Sequence, residues 1–233
     1  MRIAVFGDSH AEALFAAYPS IDIYWVGPVT MHRIGRDGIE SLLVPRWGFS
    51  RIAKHGLREY DHVLLSFGEI DCRVHVPGIA EKNSVPTHQV MEDLAERYVA
   101  AIQKYFGRSG IPVVLCVPPV TPYADTVEQK DLRDRFNASL AGKCSEHEIA
   151  FLDYRESASL VDRCLAEGSH DGNVHFEPRA TGFLASHLAR ITSFAVRHDP
   201  SYQRQPDRLQ KHRTVRSRLK HGLLRLFGQN RVT

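Results

Sequence analysis

Five short apolar runs punctuate the first 152 residues, and helix-periodic or polar stretches separate them. Ile3–Phe6, Ile21–Val26, His62–Phe67, Pro112–Val117 and Ile149–Leu152 each read as a strand, bounded by Gly, Pro or Asp. Between them the period changes. Ala11–Tyr18 reads as a helix closed by Pro19, and Ser50 is placed to cap a short helix through about Arg58. From Thr87, apolar residues recur at Val90, Leu94, Tyr98, Ala101, Ile102 and Tyr105, and a second helical set runs through Val127, Leu132, Phe136 and Leu140. Pro178 opens a last helix to about Phe194, Pro being compatible with a first turn. Residues 69–86, with Pro77, Gly78 and Pro86, read as a loop.

The strands are mainly apolar rather than alternating, as strands buried on both faces are. In βαβα order they predict an α/β three-layer sandwich with a central parallel five-stranded sheet. Ligands of such sheets bind beyond the carboxyl ends of the strands. Three loops should share that edge: Gly7-Asp8-Ser9 after the first strand, Gly68-Glu69-Ile70-Asp71 after the third, and Pro118–Tyr123 after the fourth.

A strand-to-helix turn is a good place for a serine nucleophile, because it exposes the hydroxyl at a fixed point and aims backbone N–H groups at developing negative charge. Gly7-Asp8-Ser9-His10 stands at such a turn. The same residues also read as a plain turn in which Asp8 or Ser9 caps the following helix.

Three blocks together resemble the SGNH (GDSL-like) hydrolase family. Val5-Phe6-Gly7-Asp8-Ser9 is similar to its first block, Ser66-Phe67-Gly68-Glu69-Ile70-Asp71 to its Gly-x-Asn-Asp block, and Asp171-Gly172-Asn173-Val174-His175 to its Asp-x-x-His block. The resemblance spans roughly residues 1–195. It implies a flavodoxin-like sandwich, Ser9 as nucleophile, His175 as general base and Asp171 as the acid that orients it. It also implies an oxyanion glycine before a helix. Gly48, in Gly48-Phe49-Ser50, fits that role, with Gly35 and Gly38 as alternatives; each also reads as an ordinary turn glycine. The sequence departs from the family pattern at two points. Ile70 stands where the family has its oxyanion asparagine, and Asp171 lies four residues before His175 instead of three. Loss of one oxyanion donor costs about 10²–10³ in rate. Arg73, His75 and the Ser9 N–H are the candidate replacements.

The stretch Glu69–His75 is dense in ionisable groups at the ligand edge. It reads as a substrate-binding loop in which Glu69, Asp71 and Arg73 contact substrate, Arg73 holding an anionic or hydroxyl-rich group. It reads equally as a solvated loop with internal ion pairs, in which Asp71 accepts backbone N–H bonds. His10, His32, His55, His62 and His170 are taken as structural or surface residues. No cluster has metal-ligand spacing, no phosphate loop is present, and acyl transfer through serine needs no cofactor.

Charge changes the picture only at the C-terminal end. Residues 197–233 hold ten Lys/Arg against two acids, leaving twenty against twenty-five in residues 1–196. We therefore divide the chain into a hydrolase-like domain, 1–196, and a basic tail, 197–233. Within the tail, Leu209, Val215, Leu219, Leu223, Leu226 and Phe227 suggest a helix over about 206–228 with a narrow apolar stripe. It reads as a solvated tail or a helix on the body, or as an interfacial helix on anionic lipid. Only Tyr202 and Phe227 are aromatic among these charges, too few for base stacking along the tail, which weighs against nucleic acid. The N-terminus lacks a signal-peptide pattern, no apolar run suffices for a membrane span, and Cys72, Cys116, Cys144 and Cys164 are widely spaced, so the expectation is a cytoplasmic protein with reduced thiols, peripheral at most to the inner face of a membrane.

These readings converge on a serine esterase or deacylase acting on an O-acyl ester, an O-acetyl group of a carbohydrate or glycolipid first among them. An acyltransferase would use the same residues with a sugar hydroxyl as acceptor. A non-catalytic domain of this fold that binds a glycan or partner is the rival from another class.

Overall fold

The computed structural model describes residues 1–40, 57–118, 126–158 and 175–202. Among them are strands β1 (Ile3–Gly7), β2 (Ile21–Trp25), β3 (His62–Ser66), β4 (Pro112–Leu115) and β5 (Ala150–Leu152). They form one parallel five-stranded sheet in the order β2-β1-β3-β4-β5. This is the α/β sandwich that the apolar runs predict, with each strand within a residue or two of its expected bounds.

Strand residues of β1, β3 and β4 alternate between two cores, which is why their runs are mainly apolar, whereas the edge strand β2 carries Asp22 and is only half-buried. Ala4, Phe6, Val63, Leu65 and Val114 face one layer, where α2 (Met31–Asp37), α3 (Val76–Asn83), α4 (Thr87–Phe106) and α5 (Val127–Glu146) pack. Ile3, Val5, Leu64, Val113 and Leu115 face the other, against α1 (Ser9–Phe15) and α6 (Leu184–Thr192). The period-2 alternation of a strand puts one apolar set into each layer. Cys72, Cys116 and Cys144 are buried free thiols. Among the described residues no helix is long and apolar enough to cross a membrane.

Three segments differ from expectation. Residues 69–86 are not a loop: the chain is helical from Glu69, passes through a π-helical turn at Asp71–His75 and continues as α3. Pro77 falls where the π turn passes into α3, and having no N–H it donates no bond to the preceding turn there. The helix ends at Ser84, whose φ is 54°. Helix α2 is the second addition. Thr30 caps it by accepting the Arg33 N–H at 3.2 Å, and Gly38 ends it at φ 79°. Gly35 sits inside this helix because α2 crosses α4 closely; a Cβ there would lie 3.0 Å from that of Arg97. Gly35 and Gly38 thus have packing and termination roles. The last helix is split, with a 3-10 segment at Pro178–Phe183 before α6. Most of the helix expected at 50–58, together with Gly48, Asp171 and the tail helix at 206–228, lies outside the described residues; Leu57–Glu59 forms a 3-10 turn.

Candidate active site

Strand β1 lies between β2 and β3, and Gly7 pairs in register with Trp25 on one side and Ser66 on the other. This point, where the strand order reverses, is where sheets of this type open a crevice. Gly7 is required there: a Cβ would collide with the Ser66 carbonyl and with the Ala11 side chain. Asp8 follows with extended backbone and caps α1, its Oδ1 accepting the His10 N–H at 2.9 Å. Ser9 is thereby the first residue of α1 and is exposed at the carboxyl edge of the sheet. Its backbone N–H belongs to the first turn, whose N–H groups lack intrahelical acceptors.

His175 comes to the same point from the far end of the domain. Its neighbour Phe176 is buried and packs on Phe183 with ring centroids 5.8 Å apart. That anchor leaves His175 Nε2 2.8 Å from Ser9 Oγ. In the neutral tautomer with its proton on Nδ1, the imidazole accepts the Ser9 hydroxyl, the arrangement that activates a serine. The buried ring of His10 packs beside this imidazole, with centroids 4.7 Å apart and planes at 53°.

A second serine–histidine contact shows what the first one is not. Ser157 Oγ lies 2.8 Å from His187 Nε2, a separation equal to that of the first pair. Arg190 Nη2, however, stands 2.6 Å from His187 Nδ1. A guanidinium only donates, so Nδ1 is the acceptor and the ring proton sits on Nε2, pointing at Ser157. Burial, and then the Arg190 charge, hold His187 below its ordinary pKa. This histidine cannot take a proton from its serine through Nε2, so the distance alone does not make a nucleophile of Ser157.

Three carboxyls lie beneath and beside Ser9. Asp8, 4% exposed, is pushed up to about 6, first by burial and then by the nearby charges of Glu69 and Asp71; the His10 N–H and His175 pull the other way. Glu69 is 7% exposed and takes a two-point contact from Arg73, with Nε at 2.7 Å and Nη2 at 3.3 Å. Asp71 is fully buried and accepts the N–H groups of Met31 at 2.7 Å and His32 at 3.2 Å, so it joins the π turn to the start of α2. Its pKa is raised because burial outweighs those bonds. Of the two readings of this stretch, Asp71 has the contacts of the internal one. The Arg73 side chain is 56% exposed even while paired. His75 stacks on His32 at 5.6 Å instead of turning toward Ser9.

Ile70 is half-buried on the helical turn and brings no side-chain donor. Gly68, just before it, is held at φ 111°, and a Cβ there would lie 2.7 Å from Val117 and 2.8 Å from Met31. Beside it, Asn137 fixes the end of β4 by bonding both the Val117 N–H at 2.7 Å and its carbonyl at 3.2 Å. The structure thus brings Ser9, His175, Glu69 and Asp71 to one edge, and adds Asp8 and His10, which local sequence marks only as a cap and a structural residue. Among the described residues no group of three or more His, Cys, Asp or Glu side chains is arranged to hold a metal ion.

Comparison with known proteins adds the fold. No family profile matches the sequence, and no curated protein matches it. Solved structures do. A lipase/acylhydrolase from Enterococcus faecalis aligns over 83% of this chain and 96% of its own, at 14% identity and TM-score 0.52. A lipolytic G-D-S-L family member from Veillonella parvula aligns over 83% and 98%, at 15% identity and TM-score 0.54. The acetyl xylan esterase AlAXEase aligns over 82% and 98%, at 13% identity and TM-score 0.53. The chain has the SGNH-hydrolase fold. In this fold Ser9 stands at the end of the first strand and His175 ahead of the last helix, the places where the sequence blocks put them.

Proposed function

We propose that this protein is a serine esterase of the SGNH type that removes an O-acyl group, acetyl first among them. The observation that carries the reading is the exposed Ser9 hydroxyl 2.8 Å from His175 Nε2 at the switch point of the sheet. Ser9 Oγ attacks the ester carbonyl as His175 takes its proton. The oxyanion meets the Ser9 N–H and, in this reading, Gly48. Collapse returns the proton from His175 to the departing alcohol and leaves an acyl-Ser9. Water, deprotonated by His175, then releases the acid and restores the serine. Asp171 orients His175 through the loop they share.

A carbohydrate ester is the proposed substrate class. Acetyl xylan esterases stand among the structural neighbours, and Arg73 offers an exposed guanidinium beside the site for a hydroxyl-rich or anionic group. A sugar hydroxyl in place of water makes the same acyl-enzyme a transferase intermediate. The basic stretch 206–228 is proposed to hold the enzyme at an anionic membrane surface, which suits a glycolipid substrate. One observation favours a binding domain instead: Ile70 stands where an oxyanion donor is expected.

Acetate release from p-nitrophenyl acetate and from O-acetylated xylo-oligosaccharides tests the reading. Turnover by wild type that falls by on the order of 10⁴–10⁶ in Ser9→Ala supports it. Wild-type protein that binds the oligosaccharide without turnover, unchanged in Ser9→Ala, replaces the esterase with the binding domain.

A further inference from the structure

Asp8 serves as a helix cap, yet its surroundings single it out. Three acids crowd this edge, and two of them have their charge committed elsewhere. Glu69 is met by both Nε and Nη2 of Arg73. Asp71 is spent on the Met31 and His32 N–H groups at the start of α2. The Asp8 carboxylate accepts the His10 N–H through Oδ1 and, among the described residues, meets no Lys or Arg in an ion pair. It is buried one residue from the nucleophile, and its charge and that of His175 attract. The groups facing it are Glu69 and Asp71 from the helical turn after β3, His175, the His10 N–H and the fully buried Tyr154 after β5. His175 is the cation-forming member of that set.

We propose that Asp8 is a second acid of this site, a positioning residue whose carboxylate stabilises the imidazolium that His175 becomes when it takes the Ser9 proton. In a serine–histidine–acid triad a single buried carboxylate stabilises that imidazolium. Here Asp171 is one residue further from His175 than the family spacing provides. Asp8 supplies negative charge through the strand and helix that also place Ser9. The proposal rests on the esterase reading only for its kinetic consequence; the electrostatic coupling stands without it.

Asp8→Asn is the test, because asparagine keeps the cap by accepting the His10 N–H while removing the charge. Asp8→Ser, also a capping residue, serves as the second variant should the first disturb folding. Two measurements are made: NMR titration of the His175 imidazole, assigned by its loss in His175→Gln, and the pH profile of kcat/KM on p-nitrophenyl acetate. Loss of the carboxylate should weaken the hold of His175 on its proton, so that its titration midpoint in Asp8→Asn falls below that of wild type. The acidic limb of the profile should move down with it, and the plateau should fall about tenfold. A folded Asp8→Asn protein whose His175 titration and acidic limb both stay in place overturns the proposal, leaving Asp8 a cap. If no variant and no wild type turns over, the esterase reading has failed, and the titration alone still decides the role of Asp8.

Discussion

The Asp8→Asn substitution makes a sharp prediction for stability. Asp8 rises from an ordinary 3.8 to about 6 in the folded protein, with burial as the main cause. A carboxyl whose folded pKa lies above its unfolded one binds its proton more tightly when folded. Its contribution is complete below pH 3.8 and is lost as pH climbs through about 6. A rise of roughly two pH units corresponds to about 3 kcal/mol at about 1.4 kcal/mol per unit. Wild type carries that full cost near pH 7.5 and only about 1 kcal/mol of it near pH 4.5. Asparagine at this position has no charge to bury and retains the cap. Asp8→Asn should therefore be the more stable protein by up to about 3 kcal/mol near pH 7.5, the gap narrowing by about 2 kcal/mol near pH 4.5. Urea unfolding at the two pH values reads this directly. An unfolding difference that is the same at both values, or an Asp8→Asn variant less stable near neutrality, refutes the account of Asp8 as a buried, destabilising charge. A charge retained at such a cost beside a nucleophile is what a functional role predicts.

Other consequences follow from single contacts. Ser157→Ala should leave ester turnover unchanged within about twofold, because His187 is a donor toward that serine and holds no general-base position; a loss comparable to that of Ser9→Ala would contradict this. Asp71→Ala leaves the Met31 and His32 N–H groups without their acceptor, and should cost about 2–4 kcal/mol by urea unfolding, with faster hydrogen exchange at the start of α2. Gly68→Ala meets both a positive φ and close contacts with Val117 and Met31, and should lower stability by about 2 kcal/mol or more; a neutral effect would mean that the turn after β3 is looser than described.

The sheet was legible because both its faces are buried, so that no polar residue interrupts runs such as Ile3–Phe6 or Leu64–Leu65. Ser9 and His175 were legible because each lies in a short block at a strand or helix boundary. Helix α2 was not. Gly35 reads as a breaker, and only the approach of Arg97 on α4 shows why it is glycine. Pro77 and Gly78 suggested a loop in the same way, although the π turn at Asp71–His75 carries the helix past them. Asp8 and His10 are harder still. A cap and a buried ring are all that local sequence implies; their bearing on His175 arises because residues far apart in the chain meet at the end of β1. The contribution of Asp71 is likewise set by α2, a helix the pattern had concealed.

The central claim is that Ser9 is an activated nucleophile. A fluorophosphonate probe followed by mass spectrometry of the labelled peptide tests it most directly. The account predicts one adduct on Ser9 in wild type, none in Ser9→Ala, and labelling slowed by orders of magnitude in His175→Ala, with Ser157 unmodified throughout. Folded wild-type protein that stays unlabelled, or an adduct on another residue that persists in Ser9→Ala, would contradict it.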